Sequence, residues 1–435
     1  MVGKGVFRSA RHDGNGGVKM EKIRLIAAGL GSRFGVYADY ILRHTDEIEV
    51  VGLADANKDR MREYAGKFGV PAENCFCDAL ELFSAGIGAH GAVICTMDAL
   101  HHAHSVAAMR AGYHILLEKP AALTEEQCID IRDTAKSLGR QVLVCHVLRY
   151  TPFYQKIKEI IDSGVIGDVV TVQAMERVEY WHQAHAYVRG NWRNSETSCP
   201  MILAKSCHDT DILLWLCGKR CKSVSSYGSL KHFKRENMPS GAAEYCLDCK
   251  YVDDCPYSAK KHYIDRVKSG YTGWPVDVVA HEPTEENITE ALKHGQYGRC
   301  VYACDNNVVD HEIVNMWLED DIAVSFIMSS FNSKSGRTIK ILGTLGDIEG
   351  DMGTNTIEVT VFEKSHEIID ITKIADDLGG HGGGDDRLFA DFLALLRGEP
   401  VNTKSITSID RSIESHLVCL AAEKSRLSGG APVEL

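Results

Sequence analysis

A short apolar run enters a glycine-rich turn in the sequence IRLIAAGLGSRFG, residues 23–35. The run has strand character, and the residues after the turn have helical character. In such a unit Gly29 allows the tight turn, and Gly31 lets the backbone approach a pyrophosphate. The first N–H groups of the helix, beginning at Ser32 and Arg33, add the positive end of a dipole. The GxGxxxG spacing therefore predicts a dinucleotide site, which further motifs must support.

A second strand-like run, residues 48–54, ends at Asp55. An acid at this distance from a glycine-rich turn accepts hydrogen bonds from the adenosine ribose hydroxyls, which favours NAD over NADP. NADP remains open, because Arg33 could meet a 2′-phosphate.

A third strand-like run lies at 92–95, and the tripeptide Glu118-Lys119-Pro120 follows a further apolar run, residues 114–117. A lysine at the carboxyl end of a parallel strand lies where open α/β sheets bind their ligands. There Lys119 could polarise a hydroxyl or a carbonyl; the alternative is a surface lysine on a loop. Strand-like runs alternate with helix-like stretches throughout this half of the chain, which predicts a parallel sheet.

Together these motifs resemble the glucose-fructose oxidoreductase and inositol dehydrogenase family, also called the Gfo/Idh/MocA family. The match rests on the GxGxxxG turn, on Thr96 and His101 where the family reads T-P-N-x-x-H, and on AGYHILLEKP at 111–120. Met97 and Asp98 replace the usual proline and asparagine, which would alter contacts on the nicotinamide side. The resemblance implies cofactor contacts from four of these residues: Thr96, His101, Glu118 and Lys119.

The fold class that this resemblance implies is an α/β Rossmann dinucleotide-binding domain plus an α+β domain with a large open, mainly antiparallel sheet. We expect a flexible tail at 1–21, the Rossmann domain at 22–145, and a substrate and oligomerisation domain at 146–435. The length of 435 residues agrees with two domains. Alternating patterns that fit the second sheet occur at 169–178, 321–331, 338–342 and 357–362.

Charge and hydropathy exclude some classes of partner. The net charge is −12 and no basic stripe stands out, which argues against a nucleic-acid partner. No apolar run reaches about 18 residues, and residues 1–20 lack the hydrophobic centre of a signal peptide. We expect a cytoplasmic protein with no membrane partner, and the resemblance implies a homodimer or homotetramer formed through the open sheet.

Fifteen cysteines invite a metal interpretation, because a reducing compartment disfavours disulfides. A polar, loop-rich insertion at about 230–305 contains the spacing C-x2-C-x5-C, with two more cysteines downstream. We expect a structural zinc ion there, while an iron–sulfur cluster, unliganded thiols and a role for Cys304 remain open. The expected ligands are Cys246, Cys249, Cys255 and Cys300.

The segment after Ala204, Lys205-Ser206-Cys207-His208-Asp209-Thr210-Asp211, resembles the family motif D-x-G-x-H-x-x-D. His208 matches the histidine, but Ala204 stands where the family has an aspartate that orients it. Lys205 lies beside that vacancy. We therefore expect Lys119, Lys205 and His208 to be catalytic, within a proton-transfer network that differs from that of the polyol dehydrogenases.

Aromatic and charged residues crowd the stretch 176–193, a composition typical of carbohydrate binding. A glycine-rich loop at 381–386 presents a histidine and two further acids. The stretch 176–193, the hinge after the cofactor domain and the final motif acid give the candidate substrate contacts: His146, Arg149, Tyr150, Tyr180, Trp192, Arg193 and Asp211.

The expected function is NAD-dependent hydride transfer at a ring hydroxyl of a sugar or glycoside. One alternative is a redox-neutral, NAD-dependent glycosidase, which oxidises the sugar, eliminates the aglycone, adds water and returns the hydride. A second alternative is a non-catalytic NAD-binding sensor on the same fold.

Overall fold

A computed structural model describes residues 21–375 and 378–435 of the chain. The predicted tail at 1–21 lies outside these residues apart from Glu21. The described residues form two β-sheets, one of six strands and one of nine.

The first sheet is parallel, with strand order β3-β2-β1-β4-β5-β6. Its strands are β1 (Ile23–Ala28), β2 (Ile48–Ala54), β3 (Cys75–Phe76), β4 (Gly91–Ile94), β5 (His114–Leu117) and β6 (Val142–Val144). The helices between them are α1 (Ser32–Arg43), α2 (Lys58–Phe68), α3 (Ala79–Ser84), α4 (His101–Arg110) and α5 (Glu125–Leu138). The strand order reverses between β1 and β4, and ligands bind doubly wound sheets at the carboxyl ends of such neighbours.

The second sheet is mixed, because β7 and β10 pair in parallel and the other neighbours pair antiparallel. Its order is β14-β13-β12-β11-β7-β10-β9-β8-β15. The strands are β7 (Val169–Glu179), β8 (Cys221–Ser229), β9 (His311–Leu318), β10 (Ala323–Asn332), β11 (Gly336–Gly343), β12 (Gly346–Asp351), β13 (Thr356–Val361), β14 (Ser365–Asp370) and β15 (Val433–Glu434). The predicted fold class is confirmed.

Helices cover one face of this second sheet. The helices of this half are α6 (Pro152–Asp162), α7 (Tyr180–Gln183), α8 (Met201–Ala204), α9 (Cys207–Cys217), α10 (Asp265–Lys268), α11 (Val276–Val279), α12 (Glu285–His294), α13 (Gly379–Arg397) and α14 (Ile409–Leu427). Ile157 of α6, Leu213 of α9 and Val418 of α14 are buried in one core with the strands. The opposite face is open, and Trp317 is 44% exposed there.

Helix α13 crosses back to the first sheet. Phe389 stacks on Tyr37 of α1 with ring centroids 5.3 Å apart, and Phe392 is buried in the same cluster as Leu25 of β1. The carboxyl-terminal half of the chain thus completes the core of the cofactor domain. We therefore propose that the boundary near His146 separates the two sheets but not the two cores, because α13, which follows that boundary in the chain, packs on the first sheet.

The cysteine-rich insertion has a small core of its own, formed by Cys246, Ala259, Tyr263, Ile264, Val276, Ile288 and Leu292. It lies against the segment that follows β7, since His185 contacts Tyr263 and Tyr297. None of the described helices is both long and apolar enough to span a membrane.

Candidate functional site

The glycine-rich turn packs directly on the end of β4. Gly29 has φ +80°, and a Cβ at this position would lie 2.5 Å from the Cys95 carbonyl and from the Thr96 nitrogen. Only glycine fits such a turn. Behind it, α1 begins at Ser32, and among the described residues no side chain caps its first N–H groups. Uncapped N–H groups beside a turn of this kind fit the pyrophosphate of a dinucleotide.

The carboxylate of Asp55 borders this turn. Its Oδ2 accepts a hydrogen bond from the Leu30 N–H at 2.6 Å, and the guanidinium of Arg60 lies 3.4 Å away. This is where the ribose of a bound dinucleotide meets an acid in the Rossmann fold. Arg33, the residue that left NADP open, pairs with Glu118 Oε1 and Asp385 Oδ1, each at 2.7 Å.

Lys119 reaches from the first sheet to the second half of the chain. It follows β5, and its Nζ donates to the carbonyl oxygen of Ala204 at 2.6 Å. The preceding Glu118 is buried; burial opposes its ionisation, but Arg33 and Tyr37 outweigh burial and lower its pKa. The hydrogen bond to Ala204 holds the Lys119 side chain at the carboxyl edge of the sheet, beside the turn that precedes His208.

His101 braces the loop that carries Lys119. Its Nδ1 lies 2.7 Å from the Pro120 carbonyl oxygen and its Nε2 lies 2.9 Å from the Thr96 carbonyl oxygen. The Thr96 hydroxyl lies 3.0 Å from Nδ1 of His104. Both ring nitrogens of His101 therefore face backbone carbonyl groups, and the ring positions the loop that carries Lys119. Its contact with a cofactor stays a prediction.

His208 lies in the first turn of α9 and is 7% exposed. Its Nδ1 is buried and has no hydrogen-bond partner among the described residues. The imidazole rings of His146 and His381 lie 5.7 and 6.2 Å from it, centroid to centroid. Burial, and then the charge of Lys119, hold the pKa of His208 well below its usual value. The lowered pKa favours the neutral imidazole, the form of the ring that can act as a base.

Two cations and two carboxylates cluster beside His208. Glu176 Oε1 lies 3.1 Å from Lys205 Nζ and 2.7 Å from Arg337 Nη2, and Arg337 Nε donates to Asp209 Oδ1 at 2.7 Å. Burial opposes ionisation of Glu176, but Arg337 and Lys205 outweigh it and lower the pKa. Burial raises the pKa of Asp209, and Arg337 only partly offsets this effect. Of the two acids, Asp209 is the one better able to hold a proton.

The glycine-rich loop at the start of α13 brings a second histidine–carboxylate pair to the site. His381 Nδ1 lies 2.8 Å from Asp385 Oδ2, and Arg33 holds the other carboxylate oxygen. Burial opposes ionisation of Asp385, but the His381 hydrogen bond and Arg33 lower its pKa overall. This pair stands at the junction of α1, α9 and α13.

Aromatic side chains form a row between the first sheet and the insertion. Trp192 Nε1 donates to Asp98 Oδ2 at 2.8 Å, and its ring lies 6.3 Å from that of Tyr187. Tyr187 lies 6.1 Å from His182, whose ring is 4.9 Å from Trp274 of the insertion. Sequence reasoning missed Trp274, because this residue lies far along the chain from the aromatic stretch 176–193 and belongs to no motif.

Several predicted substrate contacts are engaged within the protein instead. Arg149 donates to both oxygens of Asp211 at 2.7 and 2.5 Å, and both residues are buried. Tyr150 is buried with its hydroxyl 3.4 Å from that of Thr407. The polar groups of these three residues therefore already have partners away from solvent, which gives them a structural role. Their contact with substrate stays a prediction.

The remaining predicted contacts divide between the insertion and the histidine cluster. Tyr180 packs on Tyr257 with ring centroids 6.1 Å apart, and Arg193 pairs with Asp305 at 2.9 Å. Both thus hold the insertion in place. His146 is fully buried, and its Nε2 lies 3.9 Å from Asp211 Oδ1, beyond hydrogen-bond distance.

The predicted zinc site is not supported. In the part of the chain that the structure describes, no group of three or more His, Cys, Asp or Glu side chains is placed to hold a metal ion. Burial raises the pKa of the Cys255 and Cys300 thiols. The correction concerns Cys246, Cys249, Cys255 and Cys300.

Arg189 stabilises the insertion instead. This buried guanidinium donates to the carbonyl oxygens of Arg299 and Tyr257 at 2.7 and 2.8 Å, and to Cys246 Sγ at 3.3 Å. It thereby joins three loops of the insertion to the segment after β7.

Comparison with known proteins places this geometry in a family. Residues 23–146 match the oxidoreductase family model for the NAD-binding Rossmann fold, and residues 158–435 match the model for its C-terminal alpha/beta domain. The chain belongs to the Gfo/Idh/MocA family. The resemblance inferred from the sequence is confirmed, and the protein is an NAD-dependent oxidoreductase of this family.

Individual relatives are distant. The putative oxidoreductase YteT of Bacillus subtilis is 25% identical over 392 residues, covering 84% of this chain and 87% of the relative. The D-glucoside 3-dehydrogenase of Escherichia coli is 28% identical over 144 residues, 33% of this chain and 40% of the relative. The structure of an inositol dehydrogenase homolog complexed with NAD+ from Azotobacter vinelandii superposes with a TM-score of 0.67, at 18% identity, over 95% of this chain and 98% of that chain.

Proposed function

We propose that this family member oxidises a sugar or glycoside by hydride transfer from a ring carbon that bears a hydroxyl. The observation that carries the proposal is the convergence of Lys119 and His208. Lys119 follows β5 at the carboxyl edge of the first sheet. Its Nζ donates to the carbonyl oxygen of Ala204, four residues before His208. NAD, held by the turn at Gly29 and by Asp55, would supply the hydride acceptor.

The two side chains divide the chemistry. The Lys119 ammonium polarises the reacting oxygen and stabilises the alkoxide that develops there. His208 is neutral and buried, so its imidazole can take the hydroxyl proton. Lys205 would act beside them through its contact with Glu176.

A sugar suits the walls of this site. Trp192 and Trp274, the less buried ends of the row of rings, offer faces for the apolar side of a pyranose, and the charges at Glu176 and Arg337 offer partners for vicinal hydroxyls. The similarity to a protein named D-glucoside 3-dehydrogenase supports the same substrate class. Among the predicted substrate contacts, His146 and Trp192 stay in this proposal.

The redox-neutral glycosidase is the second candidate. In that reaction oxidation at C3 acidifies the C2 hydrogen, elimination expels the aglycone, and water addition with hydride return completes hydrolysis. Such a cycle needs more proton transfers than a dehydrogenase does. Asp209, whose pKa is raised by burial, and the His381–Asp385 pair are additional groups able to exchange protons.

We propose NAD rather than NADP, because the Asp55 carboxylate stands where a 2′-phosphate would be repelled. Arg60 is the cation that would have to turn towards that phosphate if NADP were used. The convergence of Lys119 and His208 disfavours a non-catalytic sensor, since NAD binding alone requires neither group.

We also propose that the protein is a cytoplasmic homodimer or homotetramer assembled through the open face of the second sheet. Large apolar side chains lie exposed on neighbouring strands there, in a pattern typical of an interface. They are Tyr227, Ile313, Trp317 and Ile327. Light scattering that finds only monomer at micromolar concentration would contradict this assembly.

The function is tested by incubating the purified protein with NAD and a panel of sugars and 4-nitrophenyl glycosides. Nitrophenol and NADH are followed in the same cuvette. NADH without nitrophenol would support the dehydrogenase, and nitrophenol without net NADH would support the glycosidase. Absence of both signals across the panel, with NAD bound, would favour the sensor.

A further inference from the structure

A glycine-rich loop places His381 next to His208. The loop residues 380–383 have φ between +29° and +81°, and His381 itself has φ +41°. A non-glycine residue in this region is uncommon, and its conformation must be held by its surroundings. The ring of His381 lies 6.2 Å from that of His208, centroid to centroid.

One direct contact, a chain of ion pairs behind it and a close backbone approach hold His381 in this conformation. Its Nδ1 lies 2.8 Å from Asp385, which accepts from Arg33 at 2.7 Å, and Arg33 in turn pairs with Glu118 at 2.7 Å. Gly384 lies so close to the Val147 carbonyl that a Cβ there would clash with it. The histidine is thus fixed by α1, by the end of β5 and by the hinge after β6.

The two histidines differ in exposure and in surroundings. His208 is 7% exposed, and the side chains that act on it are the cations Lys119 and Arg337 and the rings of His146 and His381. An imidazolium at His208 is therefore unfavourable once it has formed. The His381 side chain is 43% exposed, and a carboxylate faces it. His381 thus lies between a carboxylate partner and solvent.

We propose that His381, supported by Asp385, carries protons between His208 and solvent. The proposal rests on the proposed function. In the oxidation the substrate O–H bond breaks and its proton goes to His208, while the two electrons of the C–H bond leave with the hydride to NAD. His208 then passes the proton to His381, directly or through one water, and His381 releases it to solvent or buffer. In this proposal His381 is the partner of His208, the place that the family motif gives to an aspartate at position 204.

The test compares the wild type with His381→Gln, in whichever of the NADH and nitrophenol channels the wild type shows. Steady-state turnover in weak buffer should fall on the order of 10²-fold, because removal of a proton-transfer group typically costs this much. The first turnover, measured by stopped flow, should keep its rate, since His208 still takes the first proton. Added imidazole should restore steady-state turnover with saturation, and the solvent deuterium isotope effect on turnover should exceed that of the wild type.

A matched control is available. His366 Nε2 lies 2.7 Å from Glu358 Oε1 in an exposed pair on β14 and β13, so His366→Gln removes a similar pair outside the site. This variant should match the wild type, with or without imidazole.

The outcomes separate the two proposals. Equal turnover of His381→Gln and wild type would overturn the proton route and leave the proposed function standing. Parallel loss of the first and later turnovers, without rescue by imidazole, would show that His381 only supports the loop and would also overturn it. If the wild type forms neither NADH nor nitrophenol, the proposed function is contradicted, and this inference with it.

Discussion

The buried pair of Arg149 and Asp211 offers a quantitative test of the structural assignments. The sequence motif suggested that both contact substrate, whereas the structure buries both and joins them through two hydrogen bonds of 2.7 and 2.5 Å. Arg149→Met removes the cation and leaves Asp211, which is fully buried, without its partner. Removal of one partner of a buried ion pair costs about 3–5 kcal/mol of unfolding free energy. Urea unfolding followed by tryptophan fluorescence measures the loss, since Trp215 lies one helical turn from Asp211 on α9.

The loss should depend on pH in a defined direction. Burial raises the pKa of Asp211, and Arg149 partly offsets this, so the variant should have a still higher pKa at this position. A carboxyl whose folded pKa lies above its unfolded value contributes stability when protonated, and that contribution is lost as the pH rises through the folded pKa. The destabilisation by Arg149→Met should therefore be smaller at pH 5 than at pH 8.

A double variant separates the charge from the packing. Arg149→Met with Asp211→Leu removes both charges and should recover most of the lost stability, because apolar replacement of a whole buried pair is nearly neutral. A loss below about 1 kcal/mol at both pH values, the size expected of an exposed pair, would refute the assignment. So would an increase in the substrate KM without any change in unfolding.

Three further predictions follow from the turn, the insertion and the open sheet. Gly29→Ala should weaken NAD binding on the order of 10²-fold or more in calorimetry, because the new Cβ would clash with the backbone after β4. The control is Gly112→Ala, where φ is +100° and the space around the residue is open, and this variant should bind NAD normally. Arg189→Met should lower the unfolding free energy by about 2 kcal/mol, since it leaves two carbonyl groups without donors. The insertion should then be cleaved faster by a protease than in the wild type, and an unchanged cleavage rate would contradict this role. Trp317→Lys should convert the proposed oligomer to monomer in light scattering, whereas Leu427→Lys, at a residue 70% exposed on α14, should not.

The cofactor edge could be predicted because its signals are local. Gly29 and Asp55 lie close in sequence, and each follows a short apolar strand whose direction fixes where they meet. Lys119 was equally predictable, since the carboxyl end of β5 must lie at the same edge of a parallel sheet. Hydrophobic periodicity similarly indicated the strands of the second sheet, although it could not indicate the parallel pairing of β7 with β10.

The partners of the charged residues could not be predicted, because they come from distant parts of the chain. Arg33 meets Asp385 across 352 positions, and Arg337 meets Asp209 across 128. A motif shows that a residue is polar and where it lies along an element, but it does not show whether a buried neighbour already satisfies it. For this reason Arg149 was interpreted as a substrate contact. The triple glycine after His381 was the available sign that this loop adopts backbone conformations that other residues avoid.

The cysteines illustrate the same limit. Their spacing in the insertion is compatible with a tetrahedral metal site, but spacing does not fix how the loops fold around one another. In the described structure a buried arginine, Arg189, occupies the centre of these loops and contacts Cys246. No motif indicated that Arg189, within a stretch interpreted as carbohydrate-binding, would support the insertion.

The most direct test of the central claim is the Lys119→Met variant, assayed for turnover and for NAD binding on the same preparation. The proposed role predicts a loss of turnover of at least about 10³-fold, because the ammonium group stabilises charge that develops on the reacting oxygen. NAD affinity should stay within about threefold, since the turn at Gly29 and Asp55 provide the main contacts. Lys136→Met, an exposed lysine on α5, is the matched control and should retain full turnover. Turnover of Lys119→Met equal to that of the wild type would contradict the account.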